Sequence, residues 1–272
     1  MNTEFSHELP EWKAITNVKE NTDWQWCRSR LLHRSAGVQT TSKSSTNPLR
    51  AILLSHFYAD HNRRGDVPQL VQDALKEMSP GDWGLNYGSG RNRLHPRVIN
   101  VDVVNIEGVD IVNDGKVIPF SEDSIRVAIS QEVFEHVDDP VSVEREIYRV
   151  LVPGGLFYCQ VPFIIGYHPG PTDYWRFTKE GIRRLFPQDR WEIERLSFTV
   201  GHGTAAYRIL VEYFAVTASV LGDAMYLPVK GAAAVLLSPL KLTDGLSKYA
   251  SQRDRIPGGY YILARKRERV LR

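Results

Sequence analysis

The sequence predicts an α/β fold built on a mainly parallel sheet, and three observations predict it. Apolar runs of strand length alternate with helix-spaced segments through the middle of the chain. A glycine turn, Gly88-Ser89-Gly90, follows the first of the strands, and the next strand, Val98-Ile99-Asn100-Val101-Asp102, ends in a carboxylate. Strands that alternate with helices are joined by crossovers, and crossovers give parallel strands covered on both faces.

With 272 residues the chain can hold one large α/β domain with additions. Its 34 basic and 32 acidic residues leave a formal charge of +2, so neither nucleic acid nor another polyanion is expected as a partner. The basic run Arg265-Lys266-Arg267-Glu268-Arg269 reads as a solvated tail. Two cysteines, Cys27 and Cys159, stand far apart without metal spacing, which points to a reducing compartment. Met1 to Lys13 lacks the basic start and apolar core of a signal peptide. A cytoplasmic protein is expected.

Residues 1 to about 50 show no sustained periodicity, although Trp12, Trp24 and Trp26 are costly to leave in water. The Ser/Thr-rich stretch from Gln39 to Pro48 reads as a loop or linker. From Pro48 to Met78, Leu49, Ile52, Leu53 and Phe57, then Leu70, Val71, Ala74, Leu75 and Met78, recur at helical spacing, with a break at Arg63-Arg64-Gly65-Asp66. His56, Asp60 and His61 fall near that break, but no cysteine or further histidine completes a ligand set nearby, so no metal is expected. Residues 1–80 are therefore assigned to an N-terminal helical and loop extension that caps an acceptor site.

The first strand leads to the glycine turn. Glycine there permits positive φ and close approach of backbone to a ligand, and the carboxylate of Asp102 can accept from both hydroxyls of a ribose. Only about a dozen residues separate Gly90 from Asp102, room for one helical turn at most. An ordinary dinucleotide site is thereby disfavoured. Val109-Asp110-Ile111-Val112 is the third strand, with Asp114 just past its tip; Asn113-Asp114-Gly115 is also strong turn chemistry. Val127-Ala128-Ile129-Ser130 is the fourth strand. Asp138-Asp139-Pro140 then caps a helix carrying Val143, Ile147, Val150 and Leu151, ended by Pro153-Gly154-Gly155. A fifth strand runs from Leu156 to Pro162. Residues 191–200 alternate as a strand, and 258–265 form the last one. Between them, residues 203–255 are apolar and Ala-rich but broken by Glu212, Asp223, Pro228 and Lys230, so no uninterrupted run reaches the ~20 residues of a membrane crossing. Helices covering the sheet or closing a pocket are expected there, with peripheral membrane contact or a homodimer surface as alternatives.

Five segments together carry a resemblance: Asn86-Tyr87-Gly88-Ser89-Gly90, Val98 to Asp102, Asp114 to Phe120, Gln131-Glu132-Val133-Phe134-Glu135-His136-Val137, and Arg149 to Gly155. In this order they resemble the motifs of class I S-adenosylmethionine-dependent methyltransferases, over roughly residues 81–186. His168 to Thr178, His-Pro-Gly-Pro-Thr-Asp-Tyr-Trp-Arg-Phe-Thr, is similar to a segment of a bacterial subset of that family. The resemblance implies a Rossmann-like seven-stranded sheet, mainly parallel with an antiparallel last strand, in a cofactor-binding domain spanning 81–272. It implies S-adenosylmethionine held by Asn86, Tyr87, Gly88 and Gly90 at the turn, by Asp102 at the ribose with Val103 against the adenine, by Asp114 and Gly115 at the adenine amino group, and by Gln131 near the methionine end. The family usually carries an acid where Asn86 stands, often an Asp where Arg126 stands, and a helix after the glycine turn.

Methyl transfer from a sulfonium mainly requires alignment, exclusion of water and, for some acceptors, removal of a proton. The candidate bases are His136, His168 and Asp173. Equally, His136 can orient the turn after the fourth strand, while Asp173, Tyr174 and Arg176 can hold a loop together. The expected activity is transfer to an oxygen or nitrogen of a small-molecule or glycan acceptor in biosynthesis. A methyltransferase-like protein using the cofactor for another reaction, and a non-catalytic scaffold subunit, are the alternatives.

Overall fold

The computed structural model describes residues 66–113 and 117–268. The readings on residues 1–65, including the histidines near position 60 and Cys27, and those on Asp114 and Gly115, lie outside the described residues.

Seven strands form one sheet: β1 (Gly84–Tyr87), β2 (Val98–Asp102), β3 (Ile111–Val112), β4 (Ile125–Gln131), β5 (Leu151–Pro162), β6 (Trp191–Phe198) and β7 (Gly259–Lys266). Their order across the sheet is β3-β2-β1-β4-β5-β7-β6. The first five pair in parallel, and β7 is antiparallel to both β5 and β6. The predicted Rossmann-like architecture with its antiparallel last strand is thus the observed one.

Helix α1 (Val67–Lys76) carries Val67, Leu70, Val71, Ala74 and Leu75 on one buried stripe, which packs on Val98, Val127, Ile129, Leu156 and Tyr158 of the sheet. The helix assigned from sequence to a cap therefore lies on the sheet face. Glu77 reinforces this, accepting both terminal nitrogens of Arg265 on β7 at 2.8 Å. The opposite face is covered by α2 (Pro140–Val150) and α3 (Lys179–Leu185). There Val143, Ile147, Val150, Ile182 and Leu185 pack with Phe157, Phe186 and Trp191. Helix α2 starts as its sequence predicts: Asp139 accepts from the amides of Val141 and Ser142 at 3.1 Å each, and Pro140 fills a position that needs no donor. It ends earlier than expected, because the chain is already extended at Leu151, and the positive φ of Gly154 (73°) shapes a bulge leading into the paired part of β5.

No helix forms between β1 and β2, as the short spacing predicts. A polar network holds that loop instead. The side-chain amide of Asn86 donates to the Asn92 carbonyl (3.1 Å) and to Oδ1 of Asn100 (3.2 Å). Asn100 in turn donates to the carbonyls of Asn92 (2.9 Å) and Gly108 (2.8 Å), and its own amide N–H reaches Asp110, which also receives Arg93. Buried amides so fully partnered fix a loop that has no regular ladder to rely on.

The predicted solvated tail is corrected at its first two positions. Lys266 is 1% exposed and donates to Asp123 (2.6 Å) and to the carbonyls of Tyr148 (2.8 Å) and Leu151 (2.6 Å). A buried ammonium is tolerable only with such a set of acceptors. Strand alternation turns Lys266 inward and Arg265 toward Glu77 and Glu194.

Between β6 and β7 rise α4 (His202–Ala218), α5 (Tyr226–Leu237) and α6 (Asp244–Ser247). Tyr207, Val211, Ala233 and Ala234 form their own small core. Helix α4 continues through a short 3-10 turn to Leu221, giving a 20-residue element of mean hydropathy 1.2 that is long and apolar enough to cross a membrane by length and composition. Of the four interruptions read from the sequence, Glu212 falls inside this element. Because β6 is parallel to β5, these helices leave from the edge of the sheet at which the parallel strands end.

Candidate functional site

Parallel strands place their C-terminal ends along one edge, where open α/β sheets bind ligands. A cleft opens there. Tyr87 ends β1 and Gly88 follows it, Asp102 ends β2 and Val103 follows it, Asn113 follows β3, Glu132 and Val133 follow β4, and His136, Val137, Gly170 and Pro171 close the far side. Tyr87, Gly88, Asp102 and Val103 are thus brought together in one cleft.

Gly88 needs its lack of a side chain twice over. Its φ is +68°, and a Cβ there would stand 2.2 Å from Cγ2 of Val133. Gly90 has φ +52° with open space where a Cβ would be, and its N–H donates to Asp102 Oδ2 at 2.8 Å. Asp102 Oδ1 accepts from the Val104 amide at 3.0 Å. Each carboxylate oxygen therefore has one fixed donor and retains accepting capacity toward the cleft, which suits a diol. The exposed side chain of Val103 beside it offers an apolar surface to a flat ring.

Three predicted cofactor residues stand differently, the first being Gly90, which meets Asp102 through its N–H but does not line the cleft. Asn86 is buried within the β1–β2 network and does not line the cleft. Gln131 is also absent from the lining; the next residue, Glu132, presents the carboxylate. Glu132 has φ +58°, a conformation uncommon for a residue with a Cβ, and its N–H bonds the Gln160 carbonyl while its side chain receives Gln160 Nε2 at 3.3 Å.

Behind the cleft the His168-to-Thr178 segment folds as a strap over the turn after β4. Tyr174 N–H donates to the Glu135 carbonyl (2.7 Å), Trp175 Nε1 to the Val137 carbonyl (2.9 Å) and Thr172 Oγ1 to the His136 carbonyl (3.4 Å). Phe177 anchors the strap in the core. Asp173 forms a two-pronged pair with Arg176 (2.5 and 2.6 Å) and accepts the His168 N–H at 2.9 Å. The guanidinium holds its carboxyl down to about 2, far below what a base near neutral pH requires. Of the two roles read from sequence for Asp173, holding the loop is the one its contacts serve.

The strap brings His136 and His168 edge to face, with ring centroids 5.2 Å apart, and both point at Glu135. Nε2 of His136 lies 3.5 Å and Nε2 of His168 3.6 Å from Glu135 Oε1. Glu135 is fully buried, and neither carboxylate oxygen has a hydrogen-bond partner among the described residues. Burial pushes its carboxyl up from the ordinary value, while its proximity raises the His168 imidazole. Sequence reasoning missed Glu135, which reads as one more polar residue of a turn until the strap covers it.

Residues 90–159 match the family model described as "Methyltransferase domain". No curated protein sequence matches the chain. Among solved structures, the [4+2]-cyclase SpnF is similar over 93% of this chain and 97% of its own, at 15% identity and TM-score 0.44. Phosphoethanolamine N-methyltransferase 2 of Haemonchus contortus, in complex with S-adenosyl-L-methionine, is similar over 83% of this chain and 59% of its own, at 15% identity and TM-score 0.45. Geranyl diphosphate C-methyltransferase of Streptomyces coelicolor A3(2) is similar over 76% and 83%, at 14% identity and TM-score 0.45. The family model runs from the glycine turn to β5, across the strands that build the cleft, and the seven-stranded sheet around it carries an antiparallel last strand: residues 90–159 are similar to a methyltransferase domain, set in a sheet of Rossmann-like methyltransferase architecture.

Proposed function

We propose that the protein transfers a methyl group from S-adenosylmethionine to an oxygen or nitrogen of a small-molecule, sugar or secondary-metabolite acceptor. The observation that carries this reading is the cleft itself, which gathers the Gly88 turn, the Asp102 carboxylate and the Glu132 carboxylate on one side and His136 on the other. Asp102 holds the ribose and Val103 the adenine face. Glu132 supplies, toward the ammonium group of the cofactor, the negative charge that Asn86 lacks. When bound, the cofactor provides a methyl group on a positively charged sulfur, a leaving group needing no further activation. The chain's own residues then have to align the acceptor and handle its proton. His136 is the one of the three candidate bases that lines the cleft, and Glu135 and His168 stand behind it.

The acceptor side is formed by the helices of 203–255. In support, α4 approaches the strap where Gly166 faces Glu212: a Cβ on Gly166 would lie 3.7 Å from Glu212 Cγ. The exposed apolar side chains of α4 and α5, among them Phe214, Val220, Leu221 and Leu227, suit an apolar partner, whether an acceptor, a second copy or a membrane surface. The setting we infer is cytoplasmic and biosynthetic.

Calorimetric titration with S-adenosylmethionine and S-adenosylhomocysteine tests the reading. Saturable binding of both, lost in Asp102→Ala and weakened in Glu132→Gln, is expected; a folded wild-type protein that binds neither refutes it. Binding without transfer to any hydroxyl or amine acceptor would move the assignment to a non-methylating reaction.

A further inference from the structure

We propose that Glu135, His136 and His168 bind one divalent transition-metal ion of the zinc class, at a position adjoining the cleft. One ligand atom from each of the three lies within 4.8 Å of the others. Four-coordinate zinc with ligands at about 2.0–2.1 Å sets them about 3.4 Å apart. The two measured imidazole-to-carboxylate separations, 3.5 and 3.6 Å, are close to that figure. They are also too long for good hydrogen bonds, so the groups face one another without bonding.

The surroundings of the imidazoles point the same way. Nδ1 of His136 lies 2.5 Å from the Thr172 carbonyl, and Nδ1 of His168 lies 3.0 Å from the Gly166 carbonyl with Asp173 Oδ2 at 3.5 Å. A carbonyl can only accept, so Nδ1 of His136 carries the proton and its Nε2 keeps a lone pair toward Glu135; on His168, Nδ1 meets the Gly166 carbonyl at 3.0 Å and Nη2 of Arg176 at 3.3 Å, and Nε2 faces Glu135. Metal-bound histidines are held in this manner, donating their second N–H to a carbonyl or carboxylate. Glu135 is the independent observation: a carboxylate at 0% exposure, both oxygens unpartnered among the described residues, placed between two imidazole Nε2 atoms. A buried carboxylate requires a compensating charge, and a divalent cation shared with the two imidazoles supplies it. Two imidazoles and one carboxylate form a set that zinc sites use when a coordination position is left open. Since His136 lines the cleft, that position faces it. The ion site stands independently of methyl transfer. Its chemical consequence, that an acceptor oxygen coordinates there and gives up its proton more readily, rests on the function proposed above.

The test uses the full chain, freed of metal with a chelator and titrated without cofactor. Zinc binding is followed by calorimetry, and cobalt(II) binding by its visible absorption. One equivalent of each is expected, with the intense absorption of four-coordinate cobalt. Glu135→Gln and His168→Ala should each weaken binding by about 100-fold or more, and Asp173→Asn, acting through His168, by about 10- to 100-fold. His95→Ala should leave it unchanged. Circular dichroism and melting identify folded variants; if Glu135→Gln does not fold, His168→Ala decides, since that side chain is 34% exposed. Absence of stoichiometric binding by the folded wild type, or undiminished binding by a folded His168→Ala protein, overturns the proposal. Because the readout needs neither cofactor nor acceptor, failure here leaves the cofactor titration free to succeed, and the reverse.

Discussion

Gly88→Ala separates two demands that a glycine turn can make on the chain. At Gly88 the backbone is left-handed (φ +68°) and Val133 occupies the space of a side chain, with Cγ2, Cγ1 and Cβ at 2.2, 2.6 and 2.9 Å from an added Cβ. At Gly90 the backbone is also left-handed (φ +52°), but nothing lies within 4 Å. The left-handed conformation costs an alanine about 1–2 kcal/mol at either position. Overpacking against Val133 adds about 1–3 kcal/mol at Gly88 alone. Urea unfolding should therefore show Gly88→Ala destabilised by about 2–5 kcal/mol and Gly90→Ala by about 1–2 kcal/mol. Because Val133 lines the cleft, relief of the clash displaces the wall, and cofactor affinity should fall by about tenfold or more in Gly88→Ala. The double variant Gly88→Ala/Val133→Ala should recover most of the overpacking component, with a residue left by the Cβ contact. Equal losses at the two glycines, or additive effects of Gly88→Ala and Val133→Ala in the double-mutant cycle, would refute the reasoning.

Lys266→Met should destabilise the fold by about 3–5 kcal/mol in urea unfolding, since it strips two buried carbonyls and Asp123 of their donor. Asp173→Asn should be destabilised near neutral pH. The folded-state carboxyl is depressed from 3.8 to about 2, so its contribution is complete above the ordinary value and is lost as pH falls through about 2. Melting curves of the two proteins should accordingly converge toward pH 2. Burial pushes the Cys159 thiol well up, so in a Cys27→Ser background a thiol reagent should label Cys159 only on unfolding; rapid labelling of the folded protein would contradict its placement in β5.

The elements that build the cleft were legible because their signals are local. Gly88 and Gly90 announce a turn, Asp102 terminates an apolar strand, and Asp139-Pro140 starts a helix, each within a few residues of sequence. What escaped notice depends on contacts made far along the chain. Glu135 and His136 acquire their meaning only when His168 is laid over them by a strap whose bonds run to backbone atoms, and backbone acceptors leave no trace in residue identity. Asn86 looked like a weakened cofactor contact because its position was compared with a motif. Its partners, Asn92 and Asn100, show the amide serving a loop that has lost its helix. Helix α1 was assigned to a cap because amphipathicity says that a face is buried without saying against what. Lys266 shows the same limit from the charged side: a run of basic residues predicts solvent until the strand's alternation is set against Asp123.

Strand β7 is the latest in sequence of the described elements, yet it lies between β5 and β6, and β6 has no other strand beside it. During synthesis the helices and parallel strands before it emerge first and can begin to collapse. Until β7 arrives, β5 has an open edge and β6 has nothing to pair with, so a nascent chain exposes two strand edges of the kind that recruit other chains. The order of translation thus leaves the sheet open beyond β5 until late, and protection of that edge, by a chaperone or by rapid completion, becomes part of what this topology demands of the cell.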